Sequence, residues 1–66
     1  MANETTPEDI EKGALAARVS LSDVLKRAKV SRGTYYRWRR QEGDMLPLTK
    51  ARLLDAIAEL RLEKKQ

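Results

Sequence analysis

A chain of 66 residues with neither a cysteine nor a histidine has to hold itself together by packing alone. Disulfides and thiolate metal sites are excluded, and so are zinc sites and histidine-based acid–base catalysis. One domain of this size buries only about 60% of the surface its unfolded chain exposes. It therefore folds through tight helix packing or draws on an oligomer. Helix signals recur along the sequence and strand signals do not, so the expected class is all-α, a compact bundle of four helices.

The helix starts are marked by capping residues. Thr6-Pro7-Glu8-Asp9 combines a cap, a proline suited to the first helical position and acids in the first turn. Ile10, Ala14 and Ala17 then follow at helical spacing to about Arg18, and Gly13 leaves room for another helix to approach. Ser20 starts a second, short helix whose apolar stripe is Leu21, Val24, Leu25 and Ala28. After the break Lys29-Val30-Ser31, Ser31 caps a third helix expected to run from Arg32 to about Glu42, with Gly43 ending it. Thr49 is the expected cap of a fourth helix reaching toward Lys64. Its core positions are Leu53, Ile57 and Leu60, and a second stripe holds Ala51, Leu54, Ala58 and Leu62. Residues 1–5 are expected to be a flexible N-terminus, 6–64 the folded domain and 65–66 a frayed end.

Charge is unevenly placed. Residues 1–19 carry a net −2, residues 20–43 a net +5 and residues 44–66 a net +1. A positive segment inside a nearly balanced chain suits a polyanion, although a solvated helix surface would look the same. The expected anchors of the third helix are Val30, Tyr35 and Trp38, which leaves Gly33, Tyr36, Arg37 and Arg40 on one exposed face beside Arg32. That face is basic, with one aromatic hydroxyl and no acid. Arginine there has the donor geometry to read guanine, and the helix N-terminus favours a phosphate. Lys26 and Lys29 fit phosphate neighbours, and Arg39 points away from the face toward solvent or a surface acid.

The stretch Leu21–Arg40, LSDVLKRAKVSRGTYYRWRR, resembles the helix-turn-helix of the phage repressor and Cro-like DNA-binding domains. The match is sharpest over Ala28–Trp38 and extends loosely over residues 7–62. The resemblance implies a lambda-repressor-like bundle and puts Ser31, Arg32, Gly33, Tyr36 and Arg37 where that family contacts DNA. Two positions depart from the family pattern. Lys29 stands where the turn is usually glycine, and a left-handed backbone there costs roughly 1 kcal/mol. Leu25 stands where alanine is common, which would hold the two helices slightly further apart.

The expected function is a sequence-specific regulator of transcription, a repressor that occludes a promoter. It would bind double-stranded DNA at an inverted repeat as a homodimer, at least on the DNA, with residues 32–42 in the major groove. An alternative is a small protein-interaction module, an antitoxin or adaptor, working through the fourth helix. Single-strand or RNA binding would instead need Tyr35, Tyr36 and Trp38 accessible for stacking. No enzyme activity, metal or cofactor is expected, because the carboxylates sit in caps or on polar faces without converging. No apolar run approaches the roughly 20 residues of a membrane span, and the acidic start is unlike a secretory signal. The expected location is the cytoplasm of a bacterial or phage-infected cell, associated with the nucleoid.

Overall fold

Caps and apolar spacing decide where the helices form. A computed structural model describes residues 5–64, so the expectations for residues 1–4 and 65–66 lie outside the described residues. Among the described residues there are four helices and no strand: α1 (Pro7–Ala17), α2 (Leu21–Ala28), α3 (Arg32–Arg39) and α4 (Pro47–Lys64). None of them is long and apolar enough to cross a membrane.

Each of the first three starts is closed by its own side chain. The Asp9 N–H donates to Thr6 Oγ1 at 3.2 Å while Asp9 Oδ2 accepts from the Thr6 N–H at 3.1 Å, a reciprocal capping box. Ser20 Oγ accepts from the Asp23 N–H and Ser31 Oγ from the Thr34 N–H, both at 3.1 Å. Such caps are worth about 1 kcal/mol each.

The C-terminal ends of α1, α2 and α3 share one geometry, which the sequence marks only at Lys29. Arg18, Lys29 and Gln41 all adopt left-handed backbone, with φ of 59°, 60° and 61°. At each end two amides turn back onto the helix. Arg18 and Val19 N–H donate to the Leu15 and Ala14 carbonyls, Lys29 and Val30 N–H to those of Lys26 and Leu25, and Gln41 and Glu42 N–H to those of Trp38 and Arg37. These are Schellman ends built without glycine. The left-handed conformation costs a side-chain-bearing residue about 1–2 kcal/mol, offset here by satisfied carbonyls and by what each turn delivers to the core.

Two expected boundaries are corrected. α3 ends at Arg39 rather than near Glu42, and Gln41 rather than Gly43 supplies the left-handed turn. Stopping there folds the chain back so that Met45 reaches the core at 4% exposure; three more helical residues would carry it away. α4 starts at Pro47, two residues before Thr49. The Lys50 N–H already donates to the Leu46 carbonyl at 3.0 Å, and a proline is pre-organised for the first helical position. Thr49 therefore sits inside the first turn and caps nothing.

The core joins all four helices: Ile10, Ala14 and Ala17 from α1, Val24, Leu25 and Ala28 from α2, Tyr35 and Trp38 from α3, and Leu53, Ala56 and Ile57 from α4. Val30, Leu21 and Leu60 pack against it half-buried. α4 lies chiefly against α2 and α1. A Cβ at Gly13 would stand only 3.2 Å from Ile57 Cδ1, so the glycine does permit the close approach of α4. Lys64 Nζ also donates to the Arg18 carbonyl, tying the far end of α4 to the end of α1. The radius of gyration is 11.4 Å, near the roughly 11 Å of a globule this long.

Candidate nucleic-acid interface

α3 is held to the bundle by one side only. Tyr35 is fully buried and Trp38 is 7% exposed, their rings edge to face with centroids 5.8 Å apart. The Tyr35 hydroxyl donates to Glu11 Oε2 at 2.8 Å and lies 3.3 Å from the Pro7 carbonyl. Arg39 Nε donates to the same Glu11 oxygen at 2.6 Å. Hydrogen bonds from Tyr35 and then Arg39 hold the Glu11 carboxyl below its ordinary range, while burial and then the Glu11 hydrogen bond push the Tyr35 phenol up. This triad clamps α3 to α1 and fixes which way the rest of α3 faces. Lys50 Nζ, 5.7 Å above the Trp38 ring, covers the indole from α4.

With Tyr35 and Trp38 turned inward, the remaining side chains of α3 point to solvent. Arg32, Gly33, Tyr36, Arg37 and Arg40 are all exposed, as are Ser31, Lys26 and Lys29. Tyr36, at 44% exposure, rests edge-on against Tyr35 with centroids 5.4 Å apart. The Ser31 hydroxyl is committed to its cap and also donates to Thr34 Oγ1 at 2.8 Å.

The cations of α2, α3 and the joint between them divide into two groups. Arg27 pairs with Glu59 at 3.2 Å and Glu63 at 2.7 Å, tying α2 to α4, and Arg39 pairs with Glu11. Both guanidiniums are further stabilised in their charged form by those carboxylates. Arg32, Arg37, Lys26 and Lys29 have no carboxylate partner among the described residues. Arg40 falls between the groups: Glu42 lies 3.6 Å away with both side chains largely exposed, so the face is not wholly free of acid as its spacing suggested. Arg32 donates to Ser22 Oγ on α2 at 2.9 Å, which orients the guanidinium without neutralising it. Ser22 in that role is not legible from local spacing, because ten residues and a turn separate the two.

Gly33 is informative by what it does not touch. A Cβ built there would meet nothing within 4 Å, and its φ is an ordinary helical one. Glycine in a helix is less favourable than alanine by about 1 kcal/mol, and nothing in the fold requires it at this position. Gly43, in contrast, faces the Arg37 stem, 3.5 Å from where its Cβ would be. No group of His, Cys, Asp and Glu side chains suited to a metal ion occurs among the described residues.

Compared with models of protein families, with curated proteins and with solved structures, the chain matches none.

Proposed function

We propose that α2, the joint 29–31 and α3 act as a helix-turn-helix that binds double-stranded DNA, with α3 in the major groove. The observation that carries this reading is the division of the arginines. On α2 and α3, Arg27 and Arg39 are locked to glutamates, while Arg32 and Arg37 stand on the outer face of α3 without a carboxylate among the described residues. An exposed cation left unpaired is available to a phosphate or a guanine edge. The bare backbone at Gly33 gives the reading a second support, since a groove wall can approach there without meeting a side chain. Lys26 and Lys29 flank the face as phosphate contacts, and Arg40, shared with Glu42, contributes less.

On this reading the protein is a sequence-specific regulator, acting by occlusion of the promoter it covers. One helix reads only a few base pairs, so two protomers on an inverted repeat supply the selectivity. The cytoplasm is the matching location. The test is a salt titration of duplex binding. Log affinity should fall linearly with log salt, with a slope of several phosphates, and selection from random duplexes should return an inverted repeat. Binding that ignores salt, or an equal preference for single strands, would reject the reading.

One observation favours a second reading, a module that binds another protein. Leu48, Leu54 and Leu62 on α4 are exposed at 65%, 43% and 66%. Loss of a partner protein on Leu62→Glu, with duplex binding absent in the parent, would favour it.

A further inference from the structure

α4 is apolar on two opposite sides. One side carries Leu53, Ala56 and Ile57 into the core. On the other, Leu48, Ala51, Asp55, Ala58 and Leu62 follow one another at intervals of three and four residues, the repeat that lines a seam between paired helices. All five are exposed. Scattered surface leucines need no explanation, but a seam-spaced stripe about 21 Å long with one charge in it is an uncovered face.

We infer that this stripe pairs with the same stripe of a second copy, the two α4 helices running antiparallel. The flanking charges select the direction. Arg52 and Glu59 lie on the same flank of the seam, seven residues apart. In an antiparallel pair like flanks meet, so each Arg52 comes opposite the partner's Glu59. Arg52 makes no ion pair among the described residues, and Glu59 meets Arg27 only through Oε1, leaving its other oxygen for the partner. A parallel pair would set Asp55 against Asp55 and Glu59 against Leu54. Side-chain size selects the register. With Leu62 over the partner's Ala51 and Asp55 over the partner's Ala58, the layers from 51 to 62 each set a larger side chain against a small one, the condition for close interdigitation, and Leu48 lies beyond them.

This pairing makes a weak dimer in free solution, because a stable interface uses about 20–30 residues on each side. The inference deepens the DNA-binding reading, since it supplies the second α3 that an inverted repeat requires. The pairing itself is independent of DNA and is tested without it.

The chain has no cysteine, so single thiols report contacts cleanly. Ala51→Cys and Leu62→Cys are made separately, mixed near millimolar concentration and oxidised mildly. In the antiparallel register the thiol at 51 meets the thiol at 62 of the partner, while like positions lie about 16 Å apart. The mixed disulfide should exceed either homodimer by at least tenfold. Homodimers in equal or greater yield, or no disulfide at all, would overturn the proposal. Asp55→Leu removes the one charge from the seam and should tighten dimerisation at least tenfold by sedimentation equilibrium; an unchanged dimer constant would also overturn it. Duplex binding by the parent protein in the absence of the mixed disulfide rejects the seam and leaves the α3 reading standing. The mixed disulfide without duplex binding does the reverse.

Discussion

Replacing Gly33 with alanine should move stability and DNA affinity in opposite directions. The position lies in the first turn of α3, is exposed, has an ordinary helical φ, and offers a new Cβ no neighbour within 4 Å. Nothing in the folded chain resists the methyl group. The gain is the helix-propensity difference, about 0.5–1 kcal/mol, and it acts largely through the unfolded state. For a domain of 60–100 residues 1 kcal/mol moves the melting temperature by about 4–8 °C, so the variant should melt about 2–8 °C higher. In the proposed complex the same backbone faces the groove wall, and the methyl group intrudes where only hydrogen stood. Affinity for a selected duplex should fall at least tenfold, about 1.4 kcal/mol. A circular-dichroism melt and a gel-shift titration at one fixed salt concentration measure the two effects on the same preparation. Raised stability with unchanged affinity would refute the close approach of DNA to the first turn of α3. Lowered stability would show that Gly33 serves the fold after all.

Arg37→Ala should lower affinity for the selected duplex by about 1–3 kcal/mol and leave the melting temperature nearly unchanged, because the guanidinium makes no ion pair among the described residues; equal affinity in the titration would remove it from the interface. Trp38→Ala should destabilise the fold by about 3–5 kcal/mol, close to the whole stability of a small domain, and an unshifted melt would contradict its burial. Lys29→Gly should raise stability by about 1 kcal/mol by relieving the left-handed backbone at φ 60°; a fall in denaturant midpoint would show that the lysine side chain contributes more than its strain costs. Glu11 has a folded-state pKa below its ordinary value of 4.5, so it contributes stability above that range and loses it as acid drives the pH down through the folded value. Glu11→Gln should therefore flatten the acid limb of the stability curve below about pH 5, and a limb of unchanged steepness would place the acid sensitivity elsewhere.

The starts of the helices were legible because they are local events. Thr6, Ser20 and Ser31 bond to amides three residues on, so the signal lies within four residues of sequence. The inward faces of α1, α2 and α3 were legible for a similar reason: apolar spacing at 3.6 residues leaves few choices in a chain this short. The basic face of α3 follows by subtraction, once Tyr35 and Trp38 turn inward. Of the exposed residues of α4, the stripe Ala51, Leu54, Ala58 and Leu62 was also visible, as the surplus of apolar positions over what one core face needs.

The ends of the helices, and the pairing of the charges, belong to the tertiary structure. Gly43 looked like the terminator of α3 by residue type, yet Gln41 takes the left-handed turn, because the chain must reverse there to put Met45 into the core. Lys29 takes the same conformation against its own preference for the same kind of reason: Val30 has to pack on the core while Ser31 starts the next helix. Pro47 did advertise the start of α4, but Thr49 advertised it too, and packing decided between them. Ala56 joined the core without the size to announce it. The division of the arginines is the decision that matters most for the site. Arg27, Arg32, Arg37 and Arg39 are the same side chain in the sequence. Which of them meets a glutamate depends on contacts 28 to 36 residues apart, a separation over which local spacing carries no information and only the packing of α1 and α4 against the rest can decide.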